Sequence, residues 1–420
     1  MEQPLPAGNN RITGLLHLAA AFLHLGLSSF SLAVFNEARR QFVERRQWLT
    51  LEEYLEGVAL AQLLPGAPAL NLVSYLGHRL RGLAGSLTAA VCFLLPGFTT
   101  MVLLTELNLA YGTLPVVRSV LLGMGALVAG LLADTILNLW TDGADTPALI
   151  LLAGFGFTGA FWSGSNIFWS LGAAVALSGL LTILSRLKPA WGRHLDRSLR
   201  PGRTTRPRDV PLAGSFTWRT FGLNFVWVLL LVGADLWITT RLPLYRQLGL
   251  SLFRTGALTF GSGYAMLPFI RETVVAHYHW LSGPEFNTAL ALSLMTPGPV
   301  TIIAAFIGVK TAGLAGAAAA CINTYLPAFA LVNLLAGFYR YIQRLDWLRS
   351  IIRGMVAVFI GSLGSILIGI AGASLHGPAT WTLALAAFLA RRFTRWDTVW
   401  IILAGAAMSA LWFGLTPPWI

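Results

Sequence analysis

The chain has 420 residues, of which 56% are hydrophobic and only 11% charged, and its apolar residues come in runs too long to be single faces of soluble helices. The formal net charge of +12 sits in short loops beside those runs, which argues against a nucleic-acid partner and for orientation in a lipid bilayer. Cys92 and Cys321 lie far apart inside apolar runs and the histidines lack ligand spacing, so no disulfide framework, metal or other cofactor is expected.

The first apolar stretch, Gly14 to Phe35, is interrupted by Ser28, Ser29 and Ser31 and leads into a charged amphipathic piece, unlike a detachable signal peptide. Further runs follow at Leu83–Leu107, Val120–Trp140, Ile167–Ser185, Phe221–Thr240, Leu314–Tyr339, Gly354–Ala373 and Trp400–Phe413. Most are long enough to cross about 30 Å of hydrocarbon at about 1.5 Å per residue. The expected fold class is all-α, a polytopic helical membrane protein.

Residues from about 22 to 107 recur near 252 to 338. Trp48-Leu49 matches Trp280-Leu281, Glu53 matches Glu285, and Pro65-Gly66 matches Pro297-Gly298 at one constant offset. After a one-residue gap Gly77 pairs with Gly308, Arg79 with Lys310, Gly82-Leu83-Ala84-Gly85 with Gly313-Leu314-Ala315-Gly316, and Pro96 with Pro327. Two copies of one supersecondary unit are present, as in many transporters.

Loop charges set their directions. In the first copy Arg39, Arg40, Arg45, Arg46, Arg79 and Arg81 flank the Pro-Gly segment, while the loop after the next span holds Arg118. In the second copy the charge moves to the far loop, at Arg340, Arg344, Arg349 and Arg353. Basic loops face the cytoplasm, so the copies have inverted topology. The expected domains are 1–186, a basic linker at 187–217, and an inverted second domain at 218–420. A multi-pass protein of the bacterial cytoplasmic (inner) membrane is expected, with the N-terminus and the central linker cytoplasmic.

Each copy contains an apolar but broken stretch, Leu51–Arg79 at Pro65-Gly66-Ala67-Pro68 and Pro284–Lys310 at Pro297-Gly298-Pro299. Proline removes a helical donor and glycine admits unusual backbone angles, so the helix must break there. Each arm, at about 13 residues, is too short to span, and each stretch reads as a re-entrant helical hairpin. The helices restarting at Pro68 and Pro299 leave first-turn N–H groups and a positive dipole end at the break, a setting suited to an anion.

A glycine cluster at Phe260-Gly261-Ser262-Gly263-Tyr264 offers another concave set of backbone donors. The expected substrate-binding residues are Pro65, Gly66, Asn71, Gly261, Gly263, Tyr264, Thr296, Pro297, Gly298, Pro299 and Thr301. Arg79, Arg271 and Lys310 are expected to attract the anion. Glu272, with Glu37 as an imperfect first-half counterpart, is expected to carry a coupled proton. Asp134 lies inside a long span and reads first as a carboxylate reaching water near the helix end. Ser163-Gly164-Ser165 is the nearest approach to a nucleophile loop, but no matched histidine base accompanies it, so an enzyme is not expected.

At these residues the sequence resembles the chromate transporter family, in its long-chain form with two homologous membrane domains. The second half carries Thr259-Phe260-Gly261-Ser262-Gly263-Tyr264-Ala265-Met266-Leu267-Pro268, Arg271-Glu272, and Met295-Thr296-Pro297-Gly298-Pro299. The first half carries Phe42-Val43-Glu44-Arg45-Arg46, Leu63-Leu64-Pro65-Gly66 and Arg79-Leu80-Arg81-Gly82. Where the family usually has Phe-Gly-Gly-Pro and a nearby histidine, this chain has Phe30-Ser31-Leu32-Ala33-Val34-Phe35-Asn36-Glu37 and is about two residues shorter. The resemblance implies export of chromate, a tetrahedral dianion like sulfate, driven by the proton-motive force. An anion channel, or a carrier of another small solute, fits the same residue pattern. The expected partners are a small inorganic anion and the bilayer, with homodimerisation left open.

Overall fold

The computed structural model of the protein describes residues 14–29, 33–143, 146–162, 218–241, 243–336, 346–394 and 398–415, with single positions at 172, 176 and 396. The basic linker 187–217, the N-terminal residues, Phe30-Ser31-Leu32, the Ser163-Gly164-Ser165 segment and almost all of the expected span Ile167–Ser185 lie outside the described residues.

The first half comprises α1 (Leu15–Ser28), α2 (Ala33–Ala38) widening into a π-helical turn (Arg39–Arg45), α3 (Leu51–Leu63), α4 (Pro68–Tyr111), α5 (Pro115–Gly143) and α6 (Pro147–Trp162). Helix α7 (Trp218–Arg241) precedes the second half. There α8 (Pro243–Leu258), a 3-10 turn (Gly263–Met266), α9 (Leu267–Arg271) with its π turn (Glu272–His277) and α10 (Gly283–Met295) follow in order. A 3-10 turn (Val300–Ile302), α11 (Ile303–Leu335), α12 (Asp346–Ser374), α13 (Pro378–Phe393) and α14 (Thr398–Leu415) complete it. Among the described residues five helices are long and apolar enough to cross a membrane, and all five contain or overlap runs expected from the sequence.

Both broken segments are built by the same local chemistry. Thr50 caps α3 and Ser282 caps α10, each in a reciprocal box with Glu53 or Glu285 three residues on. Both helices end where proline follows, because the pyrrolidine ring drives the preceding residue into extended backbone: ψ is 148° at Leu64 and 146° at Thr296. Gly66 and Gly298 then adopt φ of 101° and 95°, which a side chain would resist.

The chain then runs back alongside the arm it left. Asn71 Nδ2 donates to the carbonyls of Ala61, Leu64 and Pro65 at 3.2–3.3 Å, satisfying orphan acceptors at the end of α3. Ion pairs close the base of each hairpin: Arg79 to Glu53 at 2.6 Å, and Lys310 to Glu285 at 2.8 Å. A second reversal follows inside each long helix, at Arg81-Gly82 and Ala312-Gly313, with Gly82 at φ 60°, ψ −150° and Gly313 at φ 64°, ψ −156°. Gly77 thereby lies against Gly85 and Gly308 against Gly316, so close that an added β-carbon at Gly77 would stand 2.5 Å from the Gly85 carbonyl oxygen. In an uninterrupted helix those residues would be about 12 Å apart.

The two copies interlock reciprocally. The Gly66 N–H donates to the Thr259 carbonyl at 2.7 Å, and the Gly298 N–H to the Ser29 carbonyl at 2.8 Å. Gly26 of α1 faces the Phe93 carbonyl, as Gly256 of α8 faces that of Thr324. The π turns match as well, with Gln47 and His279 at φ of 51° and 53°. In this register Glu272 stands where the first half has Arg40, so Glu37 is not its counterpart.

Helix directions establish the inversion. Ser119 and Gly123 of α5 meet Ser409 of α14 while Leu127 meets Gly405, so α5 and α14 are antiparallel. Gly130 meets Ala384 and Asn138 meets Arg392, so α5 and α13 are parallel. A short turn reverses the chain between α12 and α13. Helix α12 therefore opposes α5, its equivalent in the first copy.

Packing explains which helices face outward. In α7, Leu223, Leu229, Leu230, Trp237 and Ile238 are all exposed, an apolar surface that lipid would cover. Small residues let the inner helices approach: Gly156 lies against the Val358 backbone, and Gly361 against that of Ala153.

Candidate functional site

A cavity of about 390 Å³ opens where the two halves meet. Its wall takes Ala67, Pro68 and Ala69 from the first break, Pro299 and Val300 from the second, and Gly261, Ser262, Gly263 and Tyr264 from the glycine loop. Helix α5 adds Leu131, Asp134, Thr135, Asn138 and Leu139, α13 adds Arg391, and α14 adds Thr398. Phe35 and Gln62 complete it.

The breaks bring uncapped helix starts to this cavity. No side chain caps the turn that begins at Pro68, nor the one that begins at Val300. First-turn N–H groups have no acceptor within their own helix, and the dipole at that end is positive. The glycine loop differs, because Ser262 Oγ accepts from the Tyr264 N–H at 3.2 Å and holds the loop in shape. Arg391 supplies a full positive charge at the rim. Against these stands one acidic group in the lining, Asp134, which is only 3% exposed.

The expected site residues divide into three groups by position. Gly261, Gly263, Tyr264 and Pro299 line the cavity. Pro65, Gly66, Pro297 and Gly298 form the breaks behind it, and the amides of Gly66 and Gly298 are engaged by the opposite half. Asn71, Thr296 and Thr301 are buried in the scaffold: Thr296 Oγ1 donates to the Ser293 carbonyl at 2.9 Å, and Thr301 Oγ1 lies 2.9 Å from the Tyr325 hydroxyl.

The charged residues expected to serve an anion sit elsewhere. Arg79 and Lys310 are paired at the hairpin bases. Arg271 approaches Gly369 of α12. Glu37 bonds to Arg40 at 3.0 Å and to Gln41 at 2.9 Å. Glu272 lines a separate pocket of about 210 Å³ with Arg254, His277 and Tyr278.

Sequence reasoning left out Asn138, Arg391 and Arg392, and weighed Asp134 without placing it in the site. Arg391 and Arg392 end a helix of 16 residues, too short to register as a span, so they resembled ordinary loop charges. The usable signal was Asp134, an acid inside a long apolar run.

Two inverted repeats with paired helix breaks, and a cavity reached by both, are an architecture that many membrane transporters share. The chromate transporter family model matches residues 16–181 and 246–410, one region in each half. The chain belongs to that family, a family of transporters rather than of enzymes. It is 31% identical over 401 residues to the chromate transport protein of Cupriavidus metallidurans, covering 94% of this chain and 92% of that one. A probable chromate transport protein of Synechococcus elongatus is 29% identical, with 89% of each chain covered. The Pseudomonas aeruginosa chromate transport protein is 26% identical, over 89% of this chain and 85% of that one. No solved structure matches.

Proposed function

We propose that the protein exports a tetrahedral oxyanion, with chromate first and its analogue sulfate second, through the cavity between its halves. One observation carries this reading: two uncapped helix starts, a glycine loop and a guanidinium surround a single cavity. Such an array replaces the hydration of an anion with fixed dipoles and one cation. The family membership and the names of the relatives favour chromate.

The driving force is the proton-motive force. Its electrical component, negative inside, is worth about 2.3 kcal/mol per elementary charge per 100 mV and pushes a dianion outward. The bias of basic residues supports a bacterial inner-membrane location with the N-terminus and the linker 187–217 on the cytoplasmic side. Pro65, Gly66, Pro297 and Gly298 shape the breaks, while Gly261, Gly263, Tyr264 and Pro299 meet the anion. Rocking of one repeat against the other exposes the cavity to each side in turn.

Purified protein in proteoliposomes loaded with radiolabelled chromate, sulfate or phosphate tests the proposal. Saturable chromate efflux stimulated by an imposed potential, and competed by sulfate, is the expected result. Efflux equal to that of empty liposomes for all three anions would overturn it.

A further inference from the structure

Asp134 belongs to the first half and Arg392 to the second, and they meet beside the cavity. Arg392 Nη1 lies 3.8 Å from Asp134 Oδ1, beyond hydrogen-bond length, and donates instead to Asn138 Oδ1 at 2.8 Å. Asn138 Nδ2 in turn donates to Asp134 Oδ2 at 2.9 Å. Asp134 Oδ1 accepts no hydrogen bond, although the residue is buried and lines the cavity. A buried carboxylate is ordinarily held by direct, complete pairing. Here one oxygen is left over, sealed from solvent beside the wall of the space an anion would enter.

The groups that face Asp134 can be named. Arg392 and Arg391 come from α13, and Tyr264 from the glycine loop. Helix α14 gives Thr398, and neither α10 nor α12 gives an ionisable side chain to the lining. Asp134 is therefore the one acid among the described lining residues, with the Arg392 guanidinium 3.8 Å from it and Arg391 elsewhere in the lining.

Resting on the anion-transport reading above, we propose that Asp134 is the proton-coupling residue, and that a proton on its carboxylate and an anion in the cavity bind cooperatively. With Asp134 ionised, an entering oxyanion meets a negative charge that also draws on Arg392. A proton on the carboxylate removes that charge and frees Arg392, beside the lining, and Arg391, within it, to attract the anion. The proton is taken up from water as the anion binds and returned to water as the anion leaves, so no bond other than O–H forms or breaks. By linkage the anion raises proton affinity by the same factor as the proton raises anion affinity. One proton cancels one charge of a dianion, so the bound pair carries a net −1 that the inside-negative potential drives outward, while the pH component of the proton-motive force opposes the proton's exit.

Calorimetry of chromate and sulfate binding to detergent-purified protein, in buffers of differing ionisation heat, tests this directly. The wild type is expected to take up as much as one proton per anion and to bind more weakly as pH rises. Asp134→Asn is expected to take up none and to bind about fivefold or more tightly at pH 8. Equal proton uptake by wild type and Asp134→Asn would overturn the assignment. If Asp134→Asn does not purify as a folded species, Arg392→Gln decides, since that side chain is 42% exposed and its loss spares the core. It is expected to weaken binding and steepen the pH dependence, and unchanged binding would sink the proposal. Absence of anion binding in the wild type would instead remove the transport reading itself, a distinct outcome.

Discussion

The carbonyl oxygen of Pro297 occupies the place where Gly97 would carry a β-carbon. The second-half break is thus seated on the long helix of the first half. Gly66 answers it from the other side, where a β-carbon would collide with that of Ala328.

Gly97→Ala should therefore be poorly tolerated although alanine favours helices. Backbone cannot yield as a flexible side chain can, so the break must move. A fall in the detergent melting temperature, together with loss of chromate flux, is expected. A variant as stable and as active as the wild type would contradict the seating.

Gly66 and Gly298 make a sharper comparison. Both hold positive φ, so alanine at either is expected to cost about 1–3 kcal/mol in backbone strain. A β-carbon at Gly298 meets nothing within 4 Å, whereas one at Gly66 collides with Ala328. Gly66→Ala should be clearly the less stable of the two in thermal denaturation, despite the repeat.

Asn71→Asp tests the clamp on the first break. The carboxylate keeps the size of the side chain but cannot donate to the carbonyls of Ala61, Leu64 and Pro65. Loss of about 1–3 kcal/mol is expected, more than for Asn71→Ala, which brings no charge. Denaturant unfolding of the two variants side by side measures the difference.

The base of the second hairpin has a pH signature. Burial alone would raise the Glu285 carboxyl, but hydrogen bonds from Lys310 and Ser282 outweigh it and hold the group below its ordinary 4.5. A lowered folded value means stability that is fully present above about pH 4.5 and lost as pH falls through the folded value. The melting-temperature gap between wild type and Glu285→Gln should be open at pH 7 and close on acidification.

Gly263 separates folding from transport. A β-carbon there would meet only Thr301 Cγ2, at 3.9 Å, so Gly263→Ala has room to fold. It also projects a methyl group into the rim of the cavity. Melting within about 2 °C of wild type, with a raised KM for chromate, is the expected pair of results.

Much of this architecture was legible in the residues themselves. The matched Pro-Gly breaks, Glu53 with Glu285, and Arg79 with Lys310 fixed the repeat, because proline and glycine act on local backbone and need no tertiary knowledge. The inversion followed from the arginines, since membrane insertion reads them directly. What escaped was the far wall of the cavity. Helix α13 has 16 residues, shorter than a standard span, and Asn138 meets Arg392 across 254 positions of sequence. Nothing local marks such an encounter. The hairpin-base ion pairs were hidden for the same reason, so Arg79 and Lys310 looked like unpaired attractors of an anion.

The shortened stretch after Ser29 has a further consequence. A carrier whose halves were identical would offer the same face to either compartment, with forward and reverse cycles indistinguishable. Here the Gly261-Ser262-Gly263 sequence of one half has no glycine counterpart at 30–37 in the other, so a carrier built from these halves would present unlike faces to the two compartments. Such a device is asymmetric in affinity: the half-saturating concentration differs between its two faces, while detailed balance keeps the two directions of turnover equal when no gradient is imposed.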